Sequence, residues 1–145
     1  ETAPGIDILV VPSAEHSMDT DLENKELMAW VARTGRYAQH VVSLCDGAFV
    51  LAGAGLLDGV EATTFPADQD RFASMFPQVH LVRDVSFVDA GQALTSVGGA
   101  RSFDVALWLV ERLYGRQTAR SISRGLVLNW DAAAVPHRLS RTEVE

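Results

Sequence analysis

The stretch Val41-Val42-Ser43-Leu44-Cys45-Asp46-Gly47-Ala48-Phe49 decides the fold. Its first four residues, apolar except for Ser43, read as a short buried strand. Cys45-Asp46-Gly47 turns the chain, and residues 48–57 read as a helix stopped by Asp58-Gly59. Gly47, Ala48, Ala52, Gly53 and Gly55 are small enough to let this helix lie close to a sheet. A turn after such a strand sits at the strand's carboxyl end, where open α/β sheets place their ligands. The same geometry can present a nucleophile on a strained elbow, with helix amides nearby that favour a thiolate. The other reading of Cys45 is a small buried hydrophobe, the usual fate of a lone cysteine.

Upstream, residues 6–11 form an apolar run broken only by Asp7 and stopped by Pro12, which reads as a buried parallel strand. Thr20 and Glu23 have capping-box spacing, Leu27, Trp30, Val31 and Thr34 share a helical face, and Gly35 is a natural stop. The order β-α-β-α so far is that of an α/β sheet. Downstream, residues 62–64 read as a brief strand and 66–76 as a short helix offering Phe72, Met75 and Phe76 to a core. Residues 79–82, 87–88 and 93–97 alternate as strands, with a hairpin turn at Asp89-Ala90-Gly91-Gln92. Gly98-Gly99 leads into a helix whose stripe is Phe103, Ala106, Leu107, Val110, Leu113 and Tyr114, closed by Gly115. A last amphipathic piece spans 118–124, and the polar tail after Trp130 is expected to fray. No repeat or linker interrupts the chain, so one domain over residues 1–145 is expected.

Composition narrows the function classes. The 145 residues are 48% hydrophobic and 21% charged, which fits a globular chain. A net charge of −7 argues against a nucleic-acid footprint, because phosphate binding relies on Lys and Arg. No apolar run approaches the ~18 residues of a membrane span. One cysteine excludes an internal disulfide and any zinc site built on several thiolates. The four histidines lack ligand spacing, even with Asp19 and Asp21 near His16, so no metal and no cofactor is expected.

The residues Cys45-Asp46-Gly47-Ala48-Phe49-Val50-Leu51-Ala52, then Ala54-Gly55-Leu56-Leu57-Asp58-Gly59 and Ala62-Thr63-Thr64, resemble the ThiJ/PfpI superfamily of the class I glutamine-amidotransferase-like fold. Asp7-Ile8-Leu9-Val10-Val11-Pro12-Ser13 resembles that family's strand into the oxyanion loop. Leu94-Thr95-Ser96-Val97-Gly98-Gly99-Ala100 and residues 104–113 resemble its carboxyl-terminal half. The resemblance implies a flavodoxin-like three-layer αβα sandwich with a mainly parallel sheet. It also implies a homodimer, and a range of roles from hydratases, lyases and peptidases to ligand-sensing domains. Carried over by position, Cys45 matches the nucleophile. The backbone amides of Ala14, Asp46 and Gly47 match the oxyanion site, and Phe65, Gly98 and Gly99 fall at its pocket.

Two departures stand out. Many members carry a histidine directly after the nucleophile, where this chain has Asp46, and others after the Thr-Thr pair, where it has Phe65. An activated thiol needs a base within reach, and a carboxylate beside a thiol disfavours the thiolate; the plainer reading of Asp46 is a turn former. His16, in the loop after the first strand with Glu15 beside it, is the substitute base expected here; His40, His80 and His137 have no comparable local argument. The family's glutamate from its first βα connection has no counterpart, since the chain opens at what resembles a later strand. The expectation is that an N-terminal fragment or second chain completes the sheet, whose edge at residues 6–11 would otherwise be unpaired. Within the resemblance, a cysteine-dependent hydrolase, hydratase or lyase acting on a small carbonyl, amide or isonitrile compound stands against a non-catalytic ligand-binding or redox-sensing member. A regulator would need a DNA-binding module besides these residues. A cytoplasmic location is expected, or export if an upstream segment carries a signal.

Overall fold

The computed structural model describes residues 4–14 and 18–140. Five strands form the main sheet in the order β1-β2-β6-β5-β7. They are β1 (Ile8–Val11), β2 (His40–Leu44), β5 (Phe87–Ala90), β6 (Ala93–Ser96) and β7 (His137–Leu139). The pairs β1–β2, β2–β6 and β5–β7 are parallel, and β5–β6 is the antiparallel hairpin. Its turn places Gly91 at φ 89°, a left-handed conformation that costs glycine little. A separate parallel pair joins β3 (Glu61–Ala62) to β4 (His80–Leu81). The strand expected over residues 79–82 therefore leaves the main sheet.

Alternation along β2 divides the core in two. Val41 turns toward α1 (Met18–Glu23), α2 (Lys25–Tyr37), α3 (Gly47–Gly53) and α4 (Gln69–Met75), where Leu9, Val31, Phe49, Phe72 and Phe76 pack. Val42 turns the other way, toward Leu94, Val105, Leu107 and Trp130 under α5 (Ser102–Tyr114) and α6 (Arg116–Gly125). In the first layer Phe49 meets Phe72 and Phe76 edge-on, with ring centroids 5.1 and 5.9 Å apart. Burying each ring contributes about 1.5–3 kcal/mol before edge-to-face attraction is added.

The structure revises several local expectations. Asn24, not Thr20, caps the second helix, its side chain accepting from Leu27 N–H at 3.0 Å. Thr20 belongs to the short α1, and Gly35 lies inside α2, where a Cβ would come 2.4 Å from Leu56. Of the tail after Trp130, residues 131–140 do not fray. Trp130 is buried, its Nε1 donates to Glu111 at 2.7 Å, and β7 adds a parallel strand beyond it. Met75 and the α5 residues Phe103, Leu113 and Tyr114 are exposed rather than core. Strand β1 is the sheet's edge, and its Ile8 and Val10 are 39% and 49% exposed.

Candidate functional site

Cys45 follows β2 directly and takes φ 59°, a left-handed conformation uncommon for a residue with a Cβ. Such a conformation costs on the order of 1–3 kcal/mol and persists only where the surroundings enforce it. Three contacts do so. The Cys45 N–H donates to the Ser96 carbonyl at 3.0 Å, at the end of β6. Its own carbonyl accepts from Thr64 Oγ1 at 3.0 Å. On its flank, Gly98 at φ 85° presses so close that a Cβ there would lie 2.4 Å from Cys45 Cβ. Gly98 is thus required twice, by its backbone angle and by the space the cysteine occupies.

The helix that begins after Asp46 is held as tightly on its other side. A Cβ on Gly47 would fall 2.2 Å from the Val11 carbonyl oxygen and 2.9 Å from that of Pro12. The loop leaving β1 therefore passes directly against the start of α3, and Ala14 follows two residues later, partly buried against the core. Asp46 does not use its carboxylate to cap α3, and its Oδ1 is buried without a hydrogen-bond partner. Ser43 Oγ, two residues before the elbow, is also buried and unpartnered.

The Thr63-Thr64 pair is fully buried and ties the elbow to the rest of the fold. Thr63 N–H donates to Thr95 Oγ1 on β6 at 2.9 Å. Gln69 Nε2 reaches both Thr63 Oγ1 at 3.4 Å and the Thr64 carbonyl at 3.3 Å. Phe65, next in sequence, is 41% exposed.

Of the residues singled out from sequence, Cys45, Asp46, Gly47 and Gly98 come together, whereas the elbow's contacts are made by Val11 and Pro12 rather than Ala14 and by Thr64 rather than Phe65. Gly99 has open space around it. His16, with Glu15, lies outside the described residues. His137 sits at the far side of the sheet, its ring stacked 5.0 Å from Phe87. Gln69 was not anticipated as part of the site. The available signal was its position three residues before Phe72 and seven before Phe76, which puts an amide on the buried face of α4.

A second polar cluster lies at the opposite end of β3. Glu61 accepts from Arg138 Nε at 2.9 Å and from Ser140 Oγ, tying β7 to β3. The hydrogen bond from Arg138 and then that from Ser140 hold the Glu61 carboxyl below its usual range.

Comparison with known proteins gives a consistent picture. The DJ-1/PfpI family model matches residues 2–112. The HTH-type transcriptional regulator CdhR of Pseudomonas aeruginosa is 34% identical over 102 residues, which are 70% of this chain and 30% of the regulator. Isonitrile hydratase of Pseudomonas putida is 30% identical over 125 residues, 84% of this chain and 52% of that enzyme. The chain thus spans about half of the hydratase and under a third of the regulator. Among solved structures, a THiJ/PfpI family protein of Pseudomonas syringae superposes with a TM-score of 0.73 at 25% identity, over 85% of this chain and 51% of that one. Drosophila melanogaster DJ-1beta shares the fold with a TM-score of 0.73 at 21% identity, over 86% and 65% of the two chains.

Proposed function

Since the chain belongs to the DJ-1/PfpI family, we propose that Cys45 is the nucleophile of a hydrolase, hydratase or lyase acting on a small carbonyl, amide or isonitrile compound. The observation that carries this reading is the left-handed Cys45 with Gly98 pressed against it, a strained elbow held from three sides. In the amide case, Cys45 Sγ adds to the carbonyl carbon as the thiol proton passes to a base, and the C=O electron pair moves onto oxygen. The Asp46 and Ala14 amides hold that oxyanion. Collapse expels the amine with a proton, and water then cleaves the thioester and returns the thiol. His16 is the proposed base, and the Asp46 carboxylate, whose Oδ1 is buried without a partner, is proposed to exchange a proton with substrate.

The test is turnover of an aldehyde, amide and isonitrile panel, alongside iodoacetamide alkylation at pH 7 read by intact mass. Cys45→Ala abolishes turnover on this reading, and His16→Ala slows alkylation. Alkylation no faster than that of free cysteine, with no Cys45-dependent turnover, overturns it. A second reading is a non-catalytic ligand-sensing or redox-sensing member, supported by the likeness to CdhR over 70% of this chain. Ligand-dependent thermal stabilisation retained in Cys45→Ala without turnover would favour that reading.

The site belongs, on this proposal, to a single domain over residues 1–145 that acts in the cytoplasm as a homodimer. The described residues contain no helix long and apolar enough to cross a membrane. A further polypeptide segment is proposed to complete the sheet. Among the described residues nothing pairs with the outer edge of β1. Beside that edge runs an apolar groove of about 310 Å³, lined by Ile8, Val10, Leu44, Val105, Leu109 and Val110. A parallel sheet is stable with both faces covered, so a strand followed by an apolar helix suits this groove. Size-exclusion chromatography with intact-mass analysis checks both partner proposals: a stable monomer of this chain with nothing bound removes them.

A further inference from the structure

We infer that Gln69 is the positioning residue of the cysteine elbow, acting through Thr64; the inference rests on the reading of Cys45 as nucleophile and deepens it. A left-handed cysteine needs external restraint, and the only side chain that hydrogen-bonds the Cys45 backbone among the described residues is Thr64. Thr64 lies beyond the end of β3 and outside any ladder, so its own position must be set by something else.

Gln69 supplies that restraint. It is 7% exposed, on the face of α4 that also carries Phe72, where an amide is costly unless both its ends are satisfied. Arg83 Nη1 approaches Gln69 Oε1 at 3.5 Å, and a guanidinium offers only donors. That assigns the oxygen end of the amide to Arg83 and leaves the NH₂ end facing the Thr64 carbonyl and Thr63 Oγ1. Arg83 is anchored in turn by Asp70 at 2.6 Å. A line of hydrogen bonds therefore runs from the surface pair Asp70–Arg83 through Gln69 and Thr64 to the carbonyl of Cys45. Gln69 touches no reacting atom; it sets the backbone from which the thiol projects.

The substitutions Gln69→Leu and Gln69→Glu separate this role from simple packing. Leucine fills the space but faces neither Arg83 nor Thr64. An ionised glutamate keeps an acceptor for Arg83, now as an ion pair, and loses the donor to the Thr64 carbonyl. Two readouts apply to both: amide hydrogen exchange at Cys45, whose N–H is bonded to Ser96, and Cys45 alkylation at pH 7. Both variants are expected to speed exchange at Cys45 and to slow alkylation by about three- to tenfold, the range for one hydrogen bond. Thr64→Val should reproduce the loss and Thr64→Ser should restore the wild-type values. Leu107→Ala, buried in α5 within the core on the other side of the sheet from Phe72, serves as a variant destabilised without touching the line. Wild-type exchange and alkylation in both Gln69 variants would overturn the inference, as would an equal loss in Leu107→Ala. Failure of the parent reading looks different: wild-type Cys45 would alkylate like a free thiol while its amide exchange still depended on Gln69.

Discussion

On the side of the sheet facing α1 to α4, Phe49, Phe72 and Phe76 interlock at no more than 8% exposure, while on the opposite side Ile8 and Val10 stand 39% and 49% exposed. The sequence of β1 does not distinguish the two sides, since Ile8, Leu9, Val10 and Val11 are all apolar. What differs is the cover. Leu9 meets a helical layer built by neighbouring segments of the chain, whereas α5 and α6 reach over β2, β5 and β6 but leave β1 open. The elbow stands at the end of β2, and the contacts that hold it come from β6, from the Thr63-Thr64 segment and from the loop after β1. Cys45 is thus braced from several elements at once, while the open groove lies beside β1.

The contrast breaks most readily by truncation on each side. Phe49→Ala should cost about 3–5 kcal/mol in urea unfolding, because the cavity lies among rings that cannot collapse onto it. Val10→Ala should cost under about 1 kcal/mol; a loss as large as that of Phe49→Ala would mean that the groove is covered in solution. Next in size is Gly98→Ala, expected to cost about 2–3 kcal/mol because the added Cβ meets Cys45 at 2.4 Å. Its alkylation at pH 7 should fall as well, and unchanged kinetics would show that the elbow does not need that contact.

A smaller effect tests how α5 is fastened on the open side. Buried Asp89 accepts from Trp108 Nε1 at 2.8 Å and pairs with Arg112 at 3.0 Å, pinning α5 to β5. Asp89→Ala should cost about 2 kcal/mol, with the near-ultraviolet circular dichroism of Trp108 reporting the release. The smallest effect belongs to Glu61. Its carboxyl is held low by Arg138 and Ser140, so the ionised form is favoured in the folded state. That contribution is complete above the ordinary glutamate range and fades as the pH falls through the lowered folded value. Thermal melts of Glu61→Gln and wild type should therefore differ slightly at neutral pH and converge in acid; a gap that widened in acid would reverse the assignment.

Much of the fold was legible in the sequence because its signals are local. A short apolar run ending in Cys45-Asp46-Gly47 is enough to read strand, turn and helix, and Gly91 marks the hairpin. Three of the misreadings share one cause. Residues 79–82 look like the strands that follow, yet hydrogen-bond to β3, a choice made by partners distant in sequence. The tail at residues 137–139 carries too few apolar residues to announce a strand and becomes one by pairing with β5. Leu113 and Tyr114 continue the apolar stripe of α5, but the stripe runs past the edge of what this chain covers.

For the candidate site, the residue types came from the sequence and their arrangement from the fold. Cys45 and Gly47 on a tight turn could be named by type and spacing, and Gly98 by the family resemblance. That Gly98 must be glycine because Cys45 fills its Cβ space depends on a contact across more than fifty residues. The role inferred for Gln69 depends on three side-chain contacts at once, to partners 5, 6 and 14 residues away in sequence. Periodicity reports which face of an element is apolar, because that is set within a few residues. Which polar atoms meet across that face is set by the packing of whole elements, and only the tertiary structure decides it.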